Sequence, residues 1–120
     1  MKKIVILLGH GSRNVDSINE QKELYKLIAA AMPDYEIRNA FLQLCSPKFE
    51  NILNEVIEAN YNSIIVVPIF LFAGNHVQSD IPEIITDFKE KHPNIEIVLT
   101  KHIGADNKLV ELVQQRILNI

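Results

Sequence analysis

This sequence predicts an α/β fold in which a four-stranded parallel sheet is flanked by helices, and three observations predict it. Short, continuous apolar runs alternate with longer stretches whose apolar residues recur at helical spacing. The alternation gives the order βαβαβαβα, in which each helix carries the chain back to lay the next strand parallel to the last. No linker, low-complexity tract or internal repeat interrupts the 120 residues. Residues 1–120 are therefore expected to form one domain.

Ile4 to Leu8 is a continuous apolar run closed by Gly9, as expected of a strand buried on both faces. It is too short for the apolar core of a signal peptide, and no small-residue cleavage site follows it. From Asn14 or Val15 to Met32, the residues Ile18, Leu24, Leu27, Ile28 and Ala31 form a helical face that Pro33 stops. Glu36 to Leu44 reads as the second strand, around Ile37, Ala40 and Phe41. Pro47 suits the first position of a second helix whose face is Phe49, Ile52, Leu53, Val56 and Ile57.

Asn60-Tyr61-Asn62 is a turn into the strongest strand signal, Ser63 to Phe72, where Pro68 loosens the ladder toward the C-terminal end. Ala73 to Ser79 reads as a loop and Asp80 as the N-cap of a third helix. Pro82 would then sit in its first turn, and Ile84, Ile85 and Phe88 would carry it to about His92. Ile95 to Thr100 is the fourth strand. Asp106 can cap a last helix with the face Leu109, Val110, Leu112, Val113, Ile117 and Leu118.

Composition narrows the function classes. Apolar residues at 48% and charged residues at 22% are ordinary for a soluble globular protein. A net charge of −3, with no five-residue run of Lys or Arg, argues against a nucleic-acid partner. No apolar run of the ~18 residues needed to span a membrane is present. Cys45 is the lone cysteine, so no internal disulfide forms, which fits a reducing cytoplasm. A polyanionic ligand would have to be held by local devices such as helix N-termini. A domain of this size buries only about two-thirds of its unfolded surface, leaving apolar area that a partner subunit could cover.

Two segments that directly follow strands carry chemistry. Gly9-His10-Gly11-Ser12-Arg13 follows the first strand and Phe72-Ala73-Gly74-Asn75-His76-Val77 the third. In a flavodoxin-like strand order of 2-1-3-4 those strands are neighbours, and their outgoing connections diverge to open a crevice at the carboxyl ends. His10 and His76 would flank that crevice. Gly9 and Gly11 allow a tight, exposed turn around His10, with Gly74 doing similar work beside His76. Ser12 and Asn14 could cap the first helix.

Bland roles compete with these. A Gly-His-Gly turn serves equally as a plain β-to-α connection, and His76 alone could face solvent. The coincidence of two histidines at adjacent strand ends is what favours function. Ser12 suits a cap better than a nucleophile, because the sequence lacks G-x-S-x-G. Arg13 suits a solvated helix entry, and His92 a helix end, where a cation complements the dipole. His102 follows the fourth strand and lies on the same rim, where a structural or exposed role is favoured. Core packing explains Phe70, while Leu71 and Phe72 could wall a pocket for an aromatic ring.

Leu8-Gly9-His10-Gly11-Ser12-Arg13, Ala40-Phe41-Leu42, Val66-Val67-Pro68-Ile69-Phe70-Leu71, Gly74-Asn75-His76-Val77, Asp80-Ile81-Pro82 and Ile103-Gly104-Ala105-Asp106 together resemble the small, single-domain class II sirohydrochlorin chelatases, including cobalt- and nickel-inserting members. The resemblance runs over nearly the whole chain. It implies a chelatase-like half-domain acting as a homodimer, with the tetrapyrrole between subunits. It implies that His10 is metal ligand and proton acceptor and that His76 is metal ligand. It also implies that Leu71, Phe72, Ala73, Gly74, Asn75 and His76 line the substrate together with Ser46. Ser46 stands where relatives often carry Glu, and Gln43 where many carry an acidic residue.

The implied partners are sirohydrochlorin, a polycarboxylate, and a divalent metal (Co²⁺, Ni²⁺ or Fe²⁺) consumed as substrate. No other cofactor is expected, and in particular no nucleotide, since no Gly-rich phosphate loop is present. Imidazole suits these metals, and few protein ligands make sense where the metal must leave. The competing reading is a non-catalytic carrier of metal or tetrapyrrole using the same crevice.

Overall fold

Side chains of a β-strand point alternately to its two faces, so the apolar strands of a covered sheet feed two cores at once. The computed structural model describes residues 2–72 and 74–120, with residues 75–78 described by backbone alone. Its four strands are β1 (Lys3–Gly9), β2 (Ile37–Phe41), β3 (Ser63–Pro68) and β4 (Glu96–Leu99). All pair in parallel in the order β2-β1-β3-β4, as expected from the sequence. Ile4 lies beside Ile64, and Leu8 beside both Ala40 and Pro68.

The helices are α1 (Val15–Ala31), α2 (Phe49–Glu58), α3 (Asn75–Lys91) and α4 (Asn107–Leu118). Even-numbered β1 residues Ile4, Ile6 and Leu8 join Ile64, Val66 and Ala40 under α2 and α3. Those helices contribute Phe49, Ile52, Leu53 and Val56, and Ile81, Ile85 and Phe88. Odd-numbered Val5 and Leu7 join Ile37 on the other face, packed against Tyr25, Ile28 and Ala29 of α1. Among the described residues the first core holds fourteen buried side chains and the second three. The two faces are therefore unequal.

Several boundaries differ from the sequence reading. β2 ends at Phe41 rather than Leu44; main-chain bonds to the β1 exit continue through Gln43, and Leu44, with a left-handed φ of 71°, leaves the extended conformation. Pro47 is not the first residue of α2. Lys48 is the N-cap, while the Pro47 carbonyl accepts a hydrogen bond from the Phe41 N–H at 2.8 Å. The segment 75–79 is helical rather than a loop: Gly74 is the N-cap of α3, and Asp80 and Pro82 lie inside it. Pro82 comes two turns in, where its missing N–H removes one ladder bond without stopping the helix. β4 is shorter than expected by one residue at each end.

The apolar face of α1 is also rotated. Tyr25, Ile28 and Ala29 meet the sheet, whereas Leu24 and Leu27 are exposed, Leu27 at 69%. The face expected of α4 buries nothing, and Ile117 and Leu118 are 61% and 82% exposed. α4 instead faces α1 across a groove of about 630 Å³ lined by Leu24, Leu27, Leu112 and Arg116. The caps match the expectation: Asn14 Oδ1 accepts the Asp16 N–H at 2.8 Å, and Asp106 Oδ1 accepts the Lys108 N–H at 2.8 Å. Among the described residues no helix is long and apolar enough to cross a membrane.

Candidate metal and substrate site

β1 delivers His10 to the carboxyl end of the sheet, and main-chain hydrogen bonds continue past the strand end to hold it there. The Gly9 carbonyl accepts from the Leu42 N–H at 2.8 Å, and the His10 carbonyl from the Gln43 N–H at 3.2 Å. Gly11 then turns with φ 97°, a conformation that disfavours any side chain, and an added Cβ would overlap the Gln43 carbonyl. Ser12 Oγ accepts the Asn14 N–H at 2.9 Å, leading into the cap of α1. His10 thus rides on a braced turn and projects into solvent.

The exit of β3 runs alongside. The Ile69 N–H donates to the Leu8 carbonyl at 2.9 Å, which brings Phe70 against His10, with ring centroids 5.0 Å apart and planes at 53°. A cavity of about 360 Å³ opens here, lined by His10, Ser12, Gln21, Phe41, Ile69 and Phe70. This is the crevice expected where the connections of β1 and β3 diverge. Gln21 crosses from α1 to donate from Nε2 to Asn39 Oδ1 at 2.6 Å and to the Ala40 carbonyl at 3.2 Å. Its amide fills the space where a Cβ on Gly9 would stand.

His76 lies in the first turn of α3 rather than on a loop, and its side chain is outside the described residues. The same holds for the side chain of Asn75, and Ala73 is outside them altogether. Gly74 has an ordinary φ of −74° and open space around it, so neither conformation nor crowding demands glycine there. Leu71 and Phe72 are exposed, Phe72 at 78%. Phe72 walls an apolar hollow of about 330 Å³, but its companions are Leu109, Val110 and Val113 of α4. Ser46 and Gln43 are exposed in the connection from β2 to α2, and neither lines the His10 cavity. Cys45 is a half-buried free thiol. His92 caps the C-terminus of α3 and stacks on Phe88.

The sequence reading missed Gln21 in this neighbourhood, and it placed His102 on the rim without its partner. Gln21 falls in the same helical row as Tyr25 and Ile28, and a polar residue in a sheet-facing row is the signal that could have found it. His102, expected on this rim, stacks on Phe70, with centroids 6.2 Å apart and planes at 21°. Among the described residues no group of three His, Cys, Asp or Glu side chains converges as a metal cage would.

A parallel sheet of order 2-1-3-4 with an exposed histidine over the crevice at its switch point defines an α/β ligand-binding domain. The CbiX family model matches residues 4–120, and the chain belongs to the CbiX family. It is 28% identical over 134 residues to the sirohydrochlorin cobaltochelatase of Methanopyrus kandleri, with 94% of this chain and 93% of that protein covered. It is 31% identical over 122 residues to the sirohydrochlorin ferrochelatase of Bacillus subtilis, with 100% of this chain and 46% of that protein covered. The sirohydrochlorin chelatase SirB of Bacillus subtilis subspecies spizizenii, solved in complex with cobalt, superposes with a TM-score of 0.90 at 30% identity. All of this chain and 51% of SirB are covered, so the chain spans about half the length of the Bacillus proteins.

Proposed function

We propose that this chain is a sirohydrochlorin metal chelatase, inserting Co²⁺, Ni²⁺ or Fe²⁺ into the macrocycle during tetrapyrrole biosynthesis. The observation that carries the reading is His10 on its braced turn beside Phe70, over a cavity at the switch point of a CbiX-family sheet. Insertion replaces two pyrrole N–H protons by one dication. The protein must therefore hold a partly desolvated metal and provide somewhere for protons to go. Neutral imidazole can do either, being a good ligand for these metals and a base near neutral pH. One nitrogen cannot do both at once. The roles would therefore be sequential, or divided between residues or subunits: His10 as ligand and acceptor of one proton, His76 as the second ligand, with the other proton released to solvent. Leu71, Phe72, Ala73, Gly74, Asn75 and Ser46 would line the macrocycle.

The cavity's volume is near the small end of the ~300–1,000 Å³ typical of ligand pockets. A macrocycle needs a second wall, and we propose a homodimer that supplies it. The exposed apolar residues of α4 and the α1–α4 groove support this, as does the doubled length of the Bacillus relatives. Residues 1–120 act in this reading as one chelatase-like domain in the cytoplasm, where the Cys45 thiol would stay reduced.

Mixing the protein with sirohydrochlorin and each metal in turn, and following the absorption spectrum, tests the reaction. Multiple turnovers above the spontaneous rate are expected, and they should be lost in His10→Ala and His76→Ala variants that remain folded. Stoichiometric binding without turnover would replace the enzyme by a carrier. Sedimentation showing a fully active monomer throughout the micromolar range would remove the dimer.

A further inference from the structure

Metal-binding histidines are usually oriented by a hydrogen bond from the nitrogen that does not face the metal. Among the described residues, neither ring nitrogen of His10 has such a partner, and what meets the ring is Phe70. The Phe70 contact therefore contributes to the orientation of His10, to the extent that Phe70 is itself held. Ile69 pins the main chain before it through the Leu8 carbonyl, but the Phe70 ring is only half-buried. The ring packs against the larger core on one side, and His102 stacks nearly parallel to it on another.

The segment after β4 is built to place that imidazole. The Thr100 N–H donates to the Val66 carbonyl at 2.9 Å, extending the β3–β4 pairing by one residue and aiming the chain across the sheet end. Gly104 then turns back with φ 60°, and an added Cβ would stand 3.3 Å from His102 Nε2. Glycine here gives both the turn and the clearance for the ring.

We propose that His102 is a positioning residue for metal insertion, acting through the Phe70 ring to fix the imidazole of His10. The proposal rests on the chelatase reading of His10. It assigns His102 a stacking role, with neither nitrogen on the metal. An aromatic ring of any kind at position 102 should then suffice, and loss of the ring should loosen His10 without removing it. Aromatic pairs of this type are worth enough to change an equilibrium by roughly three- to tenfold.

The test compares the intact chain with His102→Ala, His102→Phe and His10→Ala. Two quantities are measured: equilibrium binding of Co²⁺ alone, and the kcat and KM for Co²⁺ in insertion. His102→Ala should weaken Co²⁺ binding by roughly three- to tenfold, with a matching fall in kcat/KM for metal. His102→Phe should restore both to within about twofold of the starting protein, since it keeps a ring but has no ligating nitrogen. The proton resonances of the His10 ring should move in His102→Ala and return in His102→Phe. Wild-type values in His102→Ala would overturn the proposal. Equal defects in the Ala and Phe variants would also overturn it, making His102 a ligand instead. If the unaltered chain inserts no metal, the chelatase reading fails separately, and the Co²⁺ affinities and His10 resonances still decide what His102 does.

Discussion

Replacing Gly11 with Ala should be the most damaging single-methyl change in the site, and its cost can be worked from two terms. The left-handed φ of 97° disfavours an L side chain, at about 1–2 kcal/mol. The new Cβ also overlaps the Gln43 main-chain carbonyl, which cannot swing aside as a side chain would. Moving it strains or breaks the hydrogen bond from the Gln43 N–H to the His10 carbonyl, about 0.5–1.5 kcal/mol more. The sum is about 1.5–3.5 kcal/mol, or a drop of roughly 6–14 °C in Tm for a domain of this size. At Gly9 the obstacle is the flexible Gln21 amide, which can withdraw at the loss of its bonds to Asn39 and the Ala40 carbonyl. Gly9→Ala should therefore cost less, about 1–2 kcal/mol. Gly74→Ala, with φ −74° and no crowding but at the N-cap of α3, where Ala is poorer than Gly, should cost about 0.5–1 kcal/mol. Thermal and urea unfolding followed by circular dichroism would rank the three. Equal midpoints for Gly11→Ala and Gly74→Ala would refute the argument from backbone geometry.

Three further expectations concern packing, capping and protons. Phe49→Ala empties a fully buried position of the larger core and should cost about 3–5 kcal/mol, read as a lowered urea midpoint at unchanged slope. Asn14→Ala removes the acceptor for the Asp16 N–H and should cost about 1 kcal/mol, whereas Asn14→Asp should be close to neutral in unfolding midpoint. In the insertion assay, protons and metal compete for the same imidazole nitrogen. The acid limb of the rate should therefore move to lower pH as Co²⁺ is raised. A limb that stays fixed over a roughly hundredfold range of subsaturating Co²⁺ would mean that the titrating group is not a ligand.

Strand and helix number and the parallel pairing were legible because they follow from periodicity and from the rule that parallel strands need crossovers. β1, whose run is apolar throughout and closed by Gly9, shows this best. The order 2-1-3-4, by contrast, is an assumption taken from flavodoxin-like folds. Helix ends were less legible where the deciding partner is remote. Pro82 reads locally as a start signal, yet α3 already begins at Asn75, and nothing near Pro82 in sequence announces those earlier turns. Leu24 and Leu27 fit a helical face by spacing alone. Which of two adjacent faces meets the sheet is decided by Tyr25, whose hydroxyl donates to the Ile37 carbonyl at 3.1 Å, a contact with no local signature. At the site, the glycine-framed His10 could be found from the chain because its signature is contiguous. The Phe70–His102 stack could not, since it joins the exits of two different strands. Gln21 shows the same limit: its partners Asn39 and Ala40 lie on another element.

The inequality of the two cores bears on how the molecule opens. With fourteen buried side chains on one face and three on the other among the described residues, the free energy of local unfolding cannot be uniform. Amide exchange should be slowest in β1, β3 and α2, and fastest in α4, with α1 between them. The wall of the His10 cavity formed by Ser17, Ile18 and Gln21 belongs to α1, on the thinly packed side. The cavity can therefore breathe by small displacements of α1, with the Gln21 and Tyr25 hydrogen bonds to β2 acting as a hinge pin, while the floor under β1 keeps its shape. A rigid floor with a yielding wall lets a flat, stiff ligand enter edge-on without disturbing the turn that carries His10.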